Sequence, residues 1–193
     1  PSNEVWQGCV YIVSRRSEPG KICKYSENDQ FYFGSLSGNK EKQVRLLSLL
    51  TAAGINAFNP ENIIDRIWKK FFRISTAATL TSYYNLPIGK VLDLHTDDLL
   101  ALADEFIAVA TAMGISFPPN SRDEIIEGQR KMPYNSTTSM HSDFLKGAQT
   151  ELESITGYIV QCAKDLNIEV PCYLRMYNEL KTNYTNIYNN PNN

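Results

Sequence analysis

The sequence predicts a mostly α-helical chain entered through a short β-rich segment, and three observations carry that reading. Up to Gly34 it holds β-branched and aromatic runs broken by turn residues. From Glu41 onward apolar residues recur at helical spacing. Capping and stop residues then divide this remainder into separate helices.

Val5 to Val13 is the first β-rich run, Glu18-Pro19-Gly20-Lys21 is a turn, and Ile22 to Tyr25 and Phe31-Tyr32-Phe33-Gly34 are further short strands. A few strands alone are marginally stable, so they read as the tail of a larger sheet whose opening strands lie upstream of Pro1, leaving an exposed edge. A helix follows from Glu41, with Val44, Leu46, Leu47, Leu50 and Ala53 on one stripe and Gly54 as its stop. Ile55 to Phe58 reads as one more short strand. Asn59-Pro60-Glu61 supplies an N-cap, a proline at the first helical position and an early acid, opening a helix to about Asn85 that forms the spine of an all-α domain.

Thr96-Asp97-Asp98 opens a helix closed by Gly114, and Ser121-x-x-Glu124 is a capping box for another that ends before Pro133. Ser139 to Lys146 and Thr150 to Leu166 give two more, separated by a bend at Gly147. Pro171 starts a final amphipathic helix with Leu174, Tyr177 and Leu180 on one side. The Asn-rich tail has little to bury and is expected to fray from Asn183. The expected organisation is thus residues 1–58, a helical domain over 59–185, and a disordered tail over 186–193.

Nineteen basic and twenty-one acidic residues among 193 give a net charge of −2 with no long run of either sign. That balance argues against a nucleic-acid or anionic-membrane partner and for a small molecule or a protein. No segment approaches the length of an apolar membrane span, and no signal segment opens the chain. Cys9, Cys23, Cys162 and Cys172 form no CxxC and stand beside only two histidines, so no metal site is expected. Free buried thiols suit a reducing cytoplasm.

The most specific feature lies late in the chain. Thr138-Ser139-Met140-His141-Ser142-Asp143 is followed by Gly147 and then Thr150-Glu151-Leu152-Glu153-Ser154-Ile155-Thr156-Gly157. Upstream, Ile67-Trp68-Lys69-Lys70-Phe71-Phe72 sets two lysines among bulky apolar residues. By itself that pair reads as two ammonium groups snorkelling to water. Together, the Ser-Met-x-x-Asp…Gly-x-x-Thr-Glu…Gly frame and Trp68-x-Lys70 resemble the ketopantoate reductase (2-dehydropantoate 2-reductase) family.

The resemblance implies a 6-phosphogluconate-dehydrogenase-like helical domain for substrate binding and dimerisation, preceded by the closing strands and helix of a truncated Rossmann-type nucleotide-binding domain. No Gly-rich dinucleotide-binding turn occurs in the sequence. With the start at Pro1, this leads to the expectation of the C-terminal part of a reductase, inactive alone, whose NADPH is bound mainly by the missing domain. The substrate class implied is a small 2-keto acid, with ketopantoate and pantothenate biosynthesis first. The implied assembly is a homodimer.

By the same resemblance Lys70 is the general acid, Ser139 binds the substrate carboxylate, and Glu151 lines the site near the lysine and the nicotinamide. Lys69 is then a solvent-facing neighbour. Without the resemblance, Ser139 reads as a helix cap and Glu151 as an acid at a helix N-terminus. Asp143 reads as structural, His141 as a solvated helix-surface imidazole, His95 as a cap-region residue, and Asn135 falls where the family often has a polar substrate-side residue.

Some positions depart from the family pattern. Ile74 and Ala78 stand where asparagines usually bind substrate, and they share a helix face with Lys70 at i, i+4 and i+8, giving a pocket wall of lower polarity. Thr81 is expected to compensate in part by binding substrate. Ser75 points elsewhere, and Thr156 stands where the family tends to have asparagine. These departures admit a reductase of a more apolar 2-keto acid, or a non-catalytic binding or assembly module of the same fold.

Overall fold

A carboxamide threads the β-rich part of the molecule together. Asn59 Nδ2 donates to the Phe33 carbonyl and to Gln43 Oε1, both at 2.9 Å, and the buried Gln43 amide turns its own N–H groups to the carbonyls of Ser35 and Gly38 at 3.4 Å. These bonds satisfy polar groups that burial would otherwise penalise. The computed structural model describes residues 5–25, 27–36 and 38–189.

Strand β1 (Gln7–Tyr11) pairs antiparallel with β4 (Gln30–Gly34), from Gln7 opposite Gly34 to Tyr11 opposite Gln30, and β5 (Ala57–Phe58) lies parallel on the other side of β4. Between them, β2 (Ser14–Glu18) and β3 (Lys21–Lys24) form a separate hairpin turning at Gly20, whose φ of +79° suits glycine. The expected first run therefore divides in two, because polar Ser14–Glu18 pairs with β3 on an exposed ribbon. Helix α1 (Lys40–Ala52) is capped by the Asn39 side chain, which accepts from the Glu41 and Lys42 N–H groups. Its inward stripe is Gln43, Leu46, Leu47 and Leu50; Val44 and Ala53, expected inside, are exposed.

Helix α2 (Ile63–Tyr84) starts three residues later than Pro60, with Asn62 Oδ1 accepting from the Ile64 N–H. It ends at Asn85, whose φ of +53° lets the Leu86 N–H reach the Thr81 carbonyl at 3.2 Å. The chain divides between Lys70 and Phe71 into two compact units. The expected boundary at 58/59 precedes α2, whereas its first turns belong with the strands. Ile63 packs so close to Gly34 that a Cβ there would meet it at 2.9 Å, and Arg66 lies 5.1 Å over the Tyr32 ring.

The second unit holds the rest of α2 and helices α3 (Ile88–Leu94), α4 (Thr96–Ala112), α5 (Ser121–Arg130), α6 (Ser139–Leu145), α7 (Leu152–Leu166) and α8 (Pro171–Asn189). Helix α4 is its centre: Leu99, Leu102, Ala103, Phe106, Val109 and Ala110 are fully buried. Phe72 and Phe117 pack on the Phe106 ring at 5.0 and 6.0 Å. Gly54 and Gly114, expected as helix stops, adopt positive φ just past the ends of α1 and α4.

Helix α3 was not expected from sequence. On α8 the buried face is Tyr173, Met176 and Leu180 with Tyr177 half-buried, and Leu174, placed on that face by the sequence pattern, is exposed. The helix also runs to Asn189, past the expected fraying point at Asn183; of the expected tail 186–193, residues 190–193 lie outside the described residues. Among the described residues no helix is long and apolar enough to cross a membrane, and no cluster of three or more His, Cys, Asp or Glu could hold a metal.

Candidate active site

In the first unit, Lys70 is half-buried and its Nζ donates to the Val10 carbonyl at 2.6 Å, with the Tyr11 ring 5.8 Å away. The carbonyl takes one N–H of the ammonium and leaves its other donors for further partners. Lys69, expected to face solvent, is also half-buried. What marks out Lys70 is the carbonyl contact, which no side-chain pattern announces. The Cys9 thiol is pushed above its ordinary range by burial, against the opposing pull of the Lys70 and Arg66 charges.

Ser139 and Glu151 belong to the second unit. Ser139 is the first residue of α6, and the capping task expected of it falls to Thr138, whose Oγ1 accepts from the His141 N–H at 3.3 Å. The Ser139 hydroxyl is left exposed. Thr138 Oγ1 is also 2.9 Å from Thr81 Oγ1, and Met140 is fully buried against Ala78, Leu152, Ile155 and Leu180. The residues flanking Ser139 and Glu151 thus pack against one stretch of α2. Glu151 is itself the N-cap residue of α7, yet its exposed carboxylate makes no cap bond; its carbonyl accepts from the Ile155 N–H.

Three expectations are corrected. Thr81 does not present a hydroxyl to a substrate: it is fully buried, donates to the Ala77 carbonyl at 2.8 Å and is partnered by Thr138. Ala78 does not line an open wall but is a core residue at 1% exposure, whereas Ile74 is 39% exposed. His141 is not solvated: it is buried, Nε2 lies 2.8 Å from Asn85 Oδ1, Nδ1 is bonded to Thr137 Oγ1, and burial lowers its pKa. Its side chain leans back toward the N-terminus of α6, as helical side chains do, and so reaches the end of α2.

The remaining candidates are placed as follows. Thr156 is buried with its Oγ1 2.8 Å from Thr79 Oγ1, and Ser75 Oγ lies 2.9 Å from Tyr173 Oη, so both hydroxyls hold helices together. Gly157 of the sequence frame permits the Tyr177 ring to approach; a Cβ there would meet it at 2.9 Å. Asp143 closes α6 through its carbonyl, which accepts from Lys146 and Ala148. His95 sits at the junction of α3 and α4, stacked on Tyr84. Asn135 is exposed in the loop before α6. All four cysteines are free, and Cys172 alone of them is buried, the others being partly exposed.

Sequence reasoning missed Asn85, Thr137 and Thr138 as a group. The Thr138-x-x-His141 spacing is a cap signal that precedes the helix by one residue, and it was available in the sequence.

One unit thus orients a lysine, and the other offers an exposed serine at the start of one helix and an exposed glutamate at the start of the next. Residues 62–184 match the family described as ketopantoate reductase PanE/ApbA C terminal, and the chain belongs to that family. It is 31% identical over 176 residues to the 2-dehydropantoate 2-reductase of Pyrococcus abyssi, an alignment covering 84% of this chain and 55% of that protein. It is 25% identical over 181 residues to the uncharacterized oxidoreductase YkpB of Bacillus subtilis, covering 92% of this chain and 60% of that one. The crystal structure of 2-dehydropantoate 2-reductase from Porphyromonas gingivalis superposes with a TM-score of 0.75 at 40% identity, over 91% of this chain and 54% of that structure. The chain therefore spans somewhat more than half the length of the proteins it matches.

Proposed function

We propose that this chain supplies the proton-donating and carboxylate-binding half of an NADPH-dependent reductase of 2-keto acids, with 2-dehydropantoate as substrate and pantoate as product in pantothenate biosynthesis. The observation that carries the reading is the Lys70 ammonium, oriented by the Val10 carbonyl at 2.6 Å. Bound NADPH supplies the hydride that reduces the C2 carbonyl. By the family resemblance, Lys70 stabilises and protonates the resulting alkoxide and Ser139 donates to the substrate carboxylate. The chain has no Gly-rich turn, and the family resemblance leaves it the nicotinamide end of the cofactor, where it puts Glu151, whose carboxylate is exposed.

The test is NADPH consumption by the full-length protein with ketopantoate. Lys70→Ala is expected to lower kcat by about 10²–10⁴ while Lys69→Ala stays close to the parent. Equal behaviour of the two variants would remove Lys70 from the mechanism. A second reading, reduction of a more apolar 2-keto acid, is favoured by the exposed Ile74 at a position where the family resemblance implies asparagine. It predicts turnover of branched or aromatic 2-keto acids in preference to ketopantoate.

A further inference from the structure

Met140, the neighbour of Ser139, is buried in the core, and on either side lie side chains tied back to α2. Before it, Thr138 caps α6 and is bonded to Thr81. After it, His141 reaches Asn85, the left-handed residue that ends α2, at 2.8 Å and also holds Thr137. The approach to α6 is pinned as well. The Ile88 and Gly89 N–H groups donate to the carbonyls of Ser136 and Tyr134 at 2.9 Å, and the Tyr134 ring covers Gly89, where any Cβ would meet it at 2.2 Å.

Rigid-body packing of α6 requires far less than this. Helix α6 has seven residues, and Met140 already anchors it in the core. Two hydrogen bonds from a buried imidazole fix the rotation of its first turn, where the Ser139 hydroxyl is exposed. Asn85 Oδ1 can only accept, so Nε2 carries a proton, and in the neutral ring Nδ1 accepts from the Thr137 hydroxyl. Burial, which lowers the His141 pKa, favours that neutral ring.

We infer that His141, with Asn85, is a positioning residue for the reductase reaction: it sets the orientation of Ser139 toward the substrate carboxylate. The inference rests on the reductase reading above. His141 touches neither substrate nor cofactor and acts through Ser139 alone. Misplacing a carboxylate-binding group weakens substrate binding more than it changes the chemical step, provided the lysine is undisturbed.

The experiment is a double-mutant cycle in the full-length protein, using the 2-keto acid that it reduces. His141→Gln keeps a donor for Asn85 and loses the acceptor for Thr137, and His141→Leu loses both. Relative to the parent, His141→Gln is expected to raise KM for the keto acid by about threefold and His141→Leu by about tenfold, with kcat and the KM for NADPH within about twofold. In a Ser139→Ala background neither substitution should raise KM further, since the group they orient is gone. Equal effects in both backgrounds, or equal losses in kcat and in NADPH binding, would overturn the inference and leave the reductase reading standing. If the parent reduces no 2-keto acid, both fall together. Should His141→Leu not fold, Asn85→Gly, which suits the left-handed φ there, removes the Asn85 acceptor and, with His141→Gln, tests the two bonds separately in the same cycle.

Discussion

At position 78 the family resemblance and the local environment point in opposite directions. By sequence, alanine there removes a substrate-binding amide from a pocket wall. In the structure its methyl group faces Met140, Leu152, Ile155 and Leu180 at 1% exposure. Restoring an asparagine would place an amide with four hydrogen-bonding sites among apolar side chains and overfill the space. Ala78→Asn is therefore expected to destabilise the chain by about 2–5 kcal/mol, combining an unsatisfied buried polar group with overpacking. Ile74→Asn, on a side chain 39% exposed, should cost about 1 kcal/mol or less. Urea unfolding of the two variants separates them; similar midpoint shifts would mean that Ala78 is not committed to the core. Of the two departures Ile74 alone is exposed, and Ala78 belongs to the packing around Met140 and Leu152.

At the scale of elements, the start of α8 shows how a helix end is completed from a distance. Pro171 has no N–H to satisfy, and the next two N–H groups, of Cys172 and Tyr173, donate to Glu105 Oε1 and Oε2 of α4 at 2.7 and 2.8 Å. The Leu174 N–H then begins the regular helical ladder on the Val170 carbonyl at 2.9 Å. One carboxylate does the work of a local cap and also opposes the positive end of the helix dipole. Its pKa is nevertheless raised, because burial outweighs the two backbone donors. Replacing Glu105 by Gln turns one acceptor into a donor facing an N–H. The expected loss is about 1–3 kcal/mol, read as a lower urea midpoint with an unchanged slope. No change in midpoint would show that water serves these N–H groups equally well. Pro171 made the start of α8 legible in the sequence, but Glu105 lies 67 residues away from Cys172 and was invisible as its partner. The same distinction explains α3. Its glycine weakens any helical signal, and only the Tyr134 ring lying over Gly89 shows why glycine is required there. The starts of α6 at Ser139 and of α7 beside Glu151 were legible because their signals are local, whereas the burial of Thr81 and His141 depends on which face of α2 and α6 meets the core.

Across the whole molecule, apolar burial is uneven. In the second unit α4 buries six apolar residues completely, and its neighbours Ile125, Ile159, Tyr173 and Met176 are at most 1% exposed. In the first unit Val5, Val13, Ile22, Leu36, Val44 and Leu49 are each at least 60% exposed, and Phe33 and Ile63 are among its few buried apolar residues. Each exposed side chain forgoes the roughly 1.5–3 kcal/mol that full burial contributes, so strands β1–β4 and helix α1 rest on backbone pairing, the Asn59–Gln43 amide contacts and ring contacts such as Tyr32–Phe58 and Trp6–Phe33. Local opening should therefore cost far less in the first unit than in α4 or α7. Hydrogen exchange on this chain is expected to show amides of β1, β4 and α1 exchanging at least about a hundredfold faster than those of Leu102 to Val109, a gap of roughly 2.7 kcal/mol in opening free energy. Uniform protection across both units would mean that the exposed apolar residues are not a weakness. Under the expected outcome, the Val10 carbonyl that orients Lys70 sits on the less stable unit while Ser139 and Glu151 sit on the more stable one. The placement of Lys70 then depends on whatever else stabilises the strands, and that of Ser139 and Glu151 on the helical core.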